Sequence, residues 1–265
     1  MAQGIFKWHK EKWIKDDQAA GTRQKTGPAF KEFVVKLYIM DIKEVEQNGI
    51  LEERMFASIG KQRQEKIEKC RHDRDKIRSL CAGALLCLGV MEWEEEERDF
   101  SLQKIEAGKA NWEMLSEFFG KSGKEVVCRY GGNGKPFFVN YPHIQFNLSH
   151  SGDYVVAAFD SQPVGIDIQE HRKINDSMSK HFLNDREVEM LSLAANEGVR
   201  EKMLCKLWTV KESYIKLTGE GMKKSMREIF VNRANGKVED EKGEVLAGFR
   251  EKIWREKYYI SVCGF

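Results

Sequence analysis

The run Val164-Gly-Ile-Asp-Ile168 sets a carboxylate in the middle of an apolar strand, and no other segment restricts the fold as much. Successive side chains on a strand point to opposite faces. Val164, Ile166 and Ile168 therefore share one face, and Gly165, Asp167 and Gln169 share the other. Burying a carboxylate is costly unless it is ion-paired or bound to a cation. Asp167 is thus half of a salt bridge or a metal ligand, and the run by itself leaves both open. The preceding apolar run, Tyr154-Val-Val-Ala-Ala-Phe159, is joined to it by Asp160-Ser-Gln-Pro163. The pair reads as a β-hairpin with a four-residue loop.

Helical periodicity accounts for much of the rest. Residues 61–90 read as one long helix, charged in its first half and apolar in its second. Asn184 is placed to cap a helix with an acidic first turn, and residues 199–218 form another that Gly219 stops. Strands are expected at 33–40, 144–148, 228–232 and 258–262. Gly131-Gly-Asn-Gly-Lys-Pro136 is a turn cluster, and Glu92-Trp-Glu-Glu-Glu-Glu-Arg98 reads as a solvated face or loop. Residues 1–32 are polar and charged and read as a weakly structured extension. Long helices mixed with hairpins mark an α+β chain rather than a βαβ series. No internal repeat is visible in the sequence.

Three further groups carry chemical potential. Trp208, Glu212 and Lys216 recur every four residues, so they form one ridge of a helix beside the apolar stripe of Leu204, Leu207 and Ile215. Alone, the acid and the lysine fit a plain exposed helix pair equally well. Arg63 and Lys66 share a helix face, and Arg78 and Ser79 follow where the helix turns apolar. Basic side chains beside a hydroxyl suit phosphate, although such a run also fits a solvated face. Nucleic acid is disfavoured, since Phe56 is the single aromatic near this run in the sequence. The third group lies in loops. Lys135 sits in the rigid turn Gly134-Lys-Pro-Phe137, and Ser149 and His150 end the strand Phe146-Asn-Leu-Ser-His-Ser151. Neighbouring strand residues face opposite ways, and no G-x-S-x-G elbow is present, so a hydrolase is disfavoured.

Composition narrows the class. The chain has 265 residues, enough for one large domain or two small ones. A net charge of only +2 gives no global nucleic-acid signal. No apolar run approaches the roughly 18 residues of a membrane span, and the first residues lack a signal core. The six cysteines, at 70, 81, 87, 128, 205 and 263, contain no C-x-x-C pair. They are expected as buried free thiols of a cytoplasmic protein.

The ordered set Phe146-Asn-Leu-Ser-His-Ser151, Val164-Gly-Ile-Asp-Ile168 and Trp208-x-x-Lys-Glu-x-x-x-Lys216 resembles the 4'-phosphopantetheinyl transferases of the surfactin-synthetase-activating type. The resemblance spans residues 33–262. It implies two similar α/β halves, 33–163 and 164–265, related by a pseudo-two-fold axis with coenzyme A in the cleft between them. It implies a monomer that moves phosphopantetheine from coenzyme A to a serine of an acyl, peptidyl or polyketide carrier protein, without membrane or nucleic acid. The alternative is a non-catalytic relative that binds coenzyme A or a carrier protein. Carried over by position, Asp167 and Glu212 match the Mg²⁺ ligands, and Lys216 matches a pyrophosphate contact. Lys135, Ser149 and His150 match coenzyme A contacts, and Arg63, Lys66, Arg78 and Ser79 fit the helix that approaches its 3'-phosphate. Glu187 matches an acid near the metal. The sequence departs from the pattern at Gln169, where the family often has a third acidic ligand.

Overall fold

The computed structural model describes residues 35–94, 102–221 and 225–265. The extension at 1–32 lies outside these residues. The first part of the chain contains β1 (Lys36–Asp41), α1 (Lys43–Glu46), α2 (Gly49–Ser58), α3 (Lys61–Glu68), α4 (Asp73–Glu94), β2 (Leu102–Ile105) and α5 (Trp112–Ser122). A short hairpin of β3 (Cys128–Tyr130) and β4 (Pro136–Phe138) follows, then β5 (Gln145–Ser151) and β6 (Tyr154–Asp160). The second part contains β7 (Val164–Glu170), α6 (Asp176–Ser179), α7 (Asp185–Ser192), α8 (Glu197–Thr218), β8 (Ile229–Asn232), β9 (Lys237–Asp240), β10 (Val245–Trp254) and β11 (Tyr258–Gly264). One sheet has the order β2-β1-β6-β5 and the other β7-β11-β10-β9-β8.

The α+β expectation is met, and a repeat absent from the sequence emerges in the topology. A strand (β1), a helix of 22 residues (α4) and a hairpin (β5–β6) build the first unit. A strand (β7), a helix of 22 residues (α8) and a hairpin (β10–β11) build the second. In both, the opening strand pairs antiparallel with the second strand of the hairpin.

The expected hairpin between 154–159 and 164–168 does not form. β6 is flanked by β1 and β5 on its two edges, so no edge remains for β7, which instead joins β11 in the other sheet. Local pattern reports two strands and a turn; it does not report which edges are already taken. The switch between sheets occurs at 161–163, opened by an Asx turn in which Gln162 N–H donates to Asp160 Oδ1. Leu37, Ile39, Val156 and Ala158 of one sheet and Val164, Ile166, Ile168 and Ile260 of the other form one apolar layer between the sheets. The outer faces bury α4 and α8 in separate cores.

The expected single helix at 61–90 is two. α3 reads Lys-Gln-Arg-Gln-Glu-Lys-Ile-Glu, with Ile67 its single buried side chain, so it cannot continue the apolar ridge of α4. The chain turns at 69–72, and α4 restarts with Asp73 and Asp75 in its first turn, where acids complement the helix dipole. α4 also runs on through Glu92, Trp93 and Glu94, where a loop or solvated face was expected. Glu92 is held there, for Tyr38 Oη donates to its carboxylate at 2.6 Å and Lys36 Nζ to its carbonyl at 2.7 Å. Within the expected first strand at 33–40, the described strand is Lys36–Asp41, and residues 33 and 34 lie outside the described set. The capping expectations hold. Asn184 and Glu187 form a reciprocal capping box, and Gly219, in the left-handed region at φ 71°, ends α8. All six cysteines are free, four of them buried.

Candidate active site

Gly165 lets α8 come down onto β7. A Cβ on Gly165 would lie 2.0 Å from the Ser213 carbonyl oxygen and 2.5 Å from the Leu217 backbone nitrogen. Both neighbours are main chain and cannot rotate away. This close approach carries Glu212 and Lys216, one turn apart on α8, to the Asp167 face of β7. Gly165→Ala is therefore expected to destabilise by about 1–3 kcal/mol through overpacking, and to impair any function that depends on Asp167 and α8 together. A urea midpoint matching that of the unsubstituted protein would contradict this.

Asp167 is buried. Lys216 Nζ donates to its Oδ1 at 2.6 Å, so it is half of a salt bridge. Ser149 Oγ donates to the same oxygen at 2.7 Å, and Lys216 Nζ donates to Ser149 Oγ at 2.9 Å, closing a triangle. Glu212 is half-buried and makes no hydrogen bond or ion pair among the described residues. Its carboxyl pKa is pushed up by burial and then by the charge of Asp167, with Lys216 and Arg172 opposing. Two carboxylates thus crowd one lysine.

The serine arrives from the other sheet. Asn147, Ser149 and Ser151 alternate along β5, so all three point toward β7. Asn147 Oδ1 accepts from Ile166 N–H at 3.1 Å, and Ser151 Oγ accepts from Glu170 N–H at 2.9 Å. The two sheets therefore meet edge to edge through side chains in place of a backbone ladder. Asn147 and Ser151 were not among the predicted residues; the period-two spacing of Asn-x-Ser-x-Ser was the signal that marked them.

His150 points the opposite way from Ser149, as strand geometry requires, and is exposed. Crowding by protein atoms, then the cations of Arg78 and Lys216, hold its pKa below the ordinary imidazole value. Arg78 donates to the Gly152 carbonyl at 3.0 Å and pairs with Asp75 at 3.2 Å. Its Nε and the Ser79 Oγ are buried without a hydrogen-bond partner among the described residues. Arg63 and Lys66 make different contacts. The Arg63 stem lies against Gly83 of α4, whereas Lys66 Nζ donates to Tyr130 Oη at 2.9 Å. Lys135 Nζ donates to the Val164 and Leu217 carbonyls, tying the β3–β4 turn to the end of α8 beside Lys216. Burial pushes its pKa down to about 8.

Glu187 and Gln169 remain to be placed. Glu187 is fully buried against Lys211, and its oxygens accept from Asn184 and Val231 N–H groups. It belongs to the support of α7, α8 and β8, with no contact to Asp167. Gln169 directs its amide nitrogen to the Glu170 carbonyl at 3.1 Å and to Ser151 Oγ at 3.4 Å.

Residues 163–263 match the family profile described as the 4'-phosphopantetheinyl transferase superfamily. Over this segment the chain is similar to that superfamily. The matched segment contains Asp167, Glu212 and Lys216, and Ser149 lies just before it. Among curated relatives, the 4'-phosphopantetheinyl transferase psf-1 of Bacillus pumilus is 39% identical over 110 residues, 41% of this chain and 46% of that protein. The 4'-phosphopantetheinyl transferase Sfp of Bacillus subtilis is 31% identical over 170 residues, 64% of each chain. A third phosphopantetheinyl transferase, also from Bacillus subtilis, is 27% identical over 80% of this chain and 85% of its own length. The chain thus matches about half to two thirds of the length of the first two relatives.

Proposed function

We propose that this protein transfers 4'-phosphopantetheine from coenzyme A to a serine of a carrier protein, releasing 3',5'-ADP. The observation that carries the reading is the meeting of Ser149, Asp167, Glu212 and Lys216 at one seam, from motifs in the order shared with phosphopantetheinyl transferases.

The donor set fits a magnesium ion. Among the described residues, the second oxygen of Asp167, the Glu212 carboxylate and the Gln169 amide oxygen have no hydrogen-bond or ion-pair partner. All are hard oxygen donors, and Mg²⁺ uses one or two carboxylates and keeps waters. No group of three or more His, Cys, Asp or Glu side chains placed for a metal occurs among the described residues. A bound Mg²⁺ would neutralise charge on the pyrophosphate of coenzyme A.

The chain's own groups do the remaining work. Lys216, now held by Asp167 and Ser149, can turn its ammonium to a pyrophosphate oxygen. Ser149 and His150, on opposite faces of β5, orient the phosphates. The carrier serine oxygen attacks the β-phosphorus, and the bond from that phosphorus to the oxygen of 3',5'-ADP breaks. Glu212, whose raised pKa makes it a stronger base than an ordinary carboxylate, accepts the serine proton directly or through a water. Arg63, Lys66, Arg78 and Ser79 hold the remote 3'-phosphate, and Lys135 lies near the nucleotide.

The test is incubation with apo carrier proteins and coenzyme A, with and without Mg²⁺, read by intact-protein mass spectrometry. A mass gain of one phosphopantetheine group is expected on a carrier serine. No gain across acyl, peptidyl and polyketide carriers would sink the reading.

A further inference from the structure

We infer that Lys135 is a positioning residue for the transfer, aligning Asp167 with Lys216 through two backbone carbonyls and not through coenzyme A; this rests on the transferase reading and deepens it. β7 is the edge strand of its sheet. Along a strand the N–H and C=O groups of alternate residues point to the same edge. Ile166 and Glu170 turn their N–H groups outward, to Asn147 and Ser151 of β5. Val164 has the same parity, so its carbonyl points to that edge too, and Lys135 Nζ donates to it there at 3.2 Å. The edge is thus fastened by Lys135 at 164, Asn147 at 166 and Ser151 at 170, and Asp167 lies between the last two. Lys135 also reaches α8. Its Nζ donates at 2.7 Å to the carbonyl of Leu217, the residue after Lys216. The last carbonyls of a helix lack intrahelical partners and form the negative end of its dipole, so an ammonium is favoured there. One side chain therefore fixes the strand that carries Asp167 to the helix that carries Lys216.

The lysine is itself held in place at both ends. Its turn is closed by Gly131 N–H donating to the Lys135 carbonyl at 3.0 Å and by Gly134 N–H donating to the Gly131 carbonyl at 2.9 Å. Gly134 supplies the left-handed step at φ 81°, and Pro136 restricts the Lys135 backbone to an extended conformation. The stem then crosses Gly219. A Cβ on Gly219 would lie 3.2 Å from both Cβ and Cδ of Lys135, so the glycine that stops α8 is also the seat of this side chain. Lys135 has no carboxylate partner among the described residues. Its ammonium has three donors, and two of them go to main chain. The geometry is that of a clamp on two backbones, set where the Lys216–Asp167 contact at 2.6 Å depends on their register. Misplacing reacting groups by about 1 Å costs on the order of 10²-fold in rate.

Transfer kinetics read by intact-protein mass spectrometry, beside titration calorimetry with 3',5'-ADP, test this. Lys135→Met is expected to lower kcat by about 10–10²-fold in folded protein, with the KM for coenzyme A and the Kd for 3',5'-ADP changed by less than about twofold. If the methionine variant does not fold, Lys135→Gln, which keeps an N–H donor on a shorter stem, is measured in its place with the same expected split. An unchanged kcat, with or without a lower Tm, would make Lys135 a part of the fold alone and overturn the inference. A rise in the 3',5'-ADP Kd as large as the fall in kcat would also overturn it, since that is the mark of a direct contact. In both cases the transferase reading stands, because the unsubstituted protein still modifies its carrier. No transfer by the unsubstituted protein to any carrier would overturn both.

Discussion

Glu212→Gln is expected to cut phosphopantetheine transfer by about 10²–10³-fold while Tm stays level or rises slightly. The two effects separate because the carboxylate does little for the fold. It has no hydrogen bond or ion pair among the described residues, and burial and Asp167 together push its pKa up. A carboxyl whose pKa rises on folding binds its proton more tightly in the native state. It is then most favourable at low pH and costs stability as pH rises through the folded pKa. A neutral amide of the same size removes that cost at neutral pH. Transfer measured by mass spectrometry, beside a thermal melt at neutral pH, checks both halves. Near-normal turnover would remove Glu212 from the chemistry, and a large fall in Tm would show that its carboxylate supports the fold after all.

Its chain neighbour should behave in the opposite way. Lys211→Ala is expected to destabilise by about 3–5 kcal/mol, because it leaves Glu187 as a buried unpaired charge. Lys211 and Glu187 are both 0% exposed, 2.6 Å apart. Lys211 Nζ also donates to the Phe182, Met226 and Ile229 carbonyls, joining α8 to the segments on either side of it. Burial pushes the lysine pKa down and the glutamate pKa up, so each depends on the other for its charge. Urea unfolding checks the size. The paired change Glu187→Gln with Lys211→Met should recover much of the loss, since no lone charge remains. A double variant as unstable as the single one would show that the carbonyl contacts, and not the charge, dominate.

These two lysines, Lys211 and Lys216, show what could be read from sequence. The ridge of Trp208, Glu212 and Lys216 followed from helical spacing, and the facing of Asp167 from strand alternation; both are properties of a single element. The Lys216–Asp167 contact, the Ser149 triangle and the Lys135 bonds to Val164 and Leu217 each join residues far apart in the chain, which no local period encodes. The false hairpin at 154–168 failed for the same reason, since edge occupancy on β6 is set by β1, more than a hundred residues earlier. The 61–90 helix failed because charged residues permit a helix without saying which way it runs. Glu187 was the reverse case: an acid at a helix start reads as a site residue until its partner, Lys211, is known.

The side-chain seam between β5 and β7 has a consequence for how the molecule can be divided. Ser149 comes from one sheet, Asp167 from the other and Lys216 from the helix packed on that second sheet, and residues 161–163 are the covalent tether between the sheets. A tether this short gives the two halves a high effective concentration for each other, so weak contacts such as the Asn147 and Ser151 bonds suffice to register the seam. Cut at 162, the same contacts would have to hold in bimolecular form. Each fragment would also uncover its side of the Ile39–Ile166 layer, an apolar face prone to self-association.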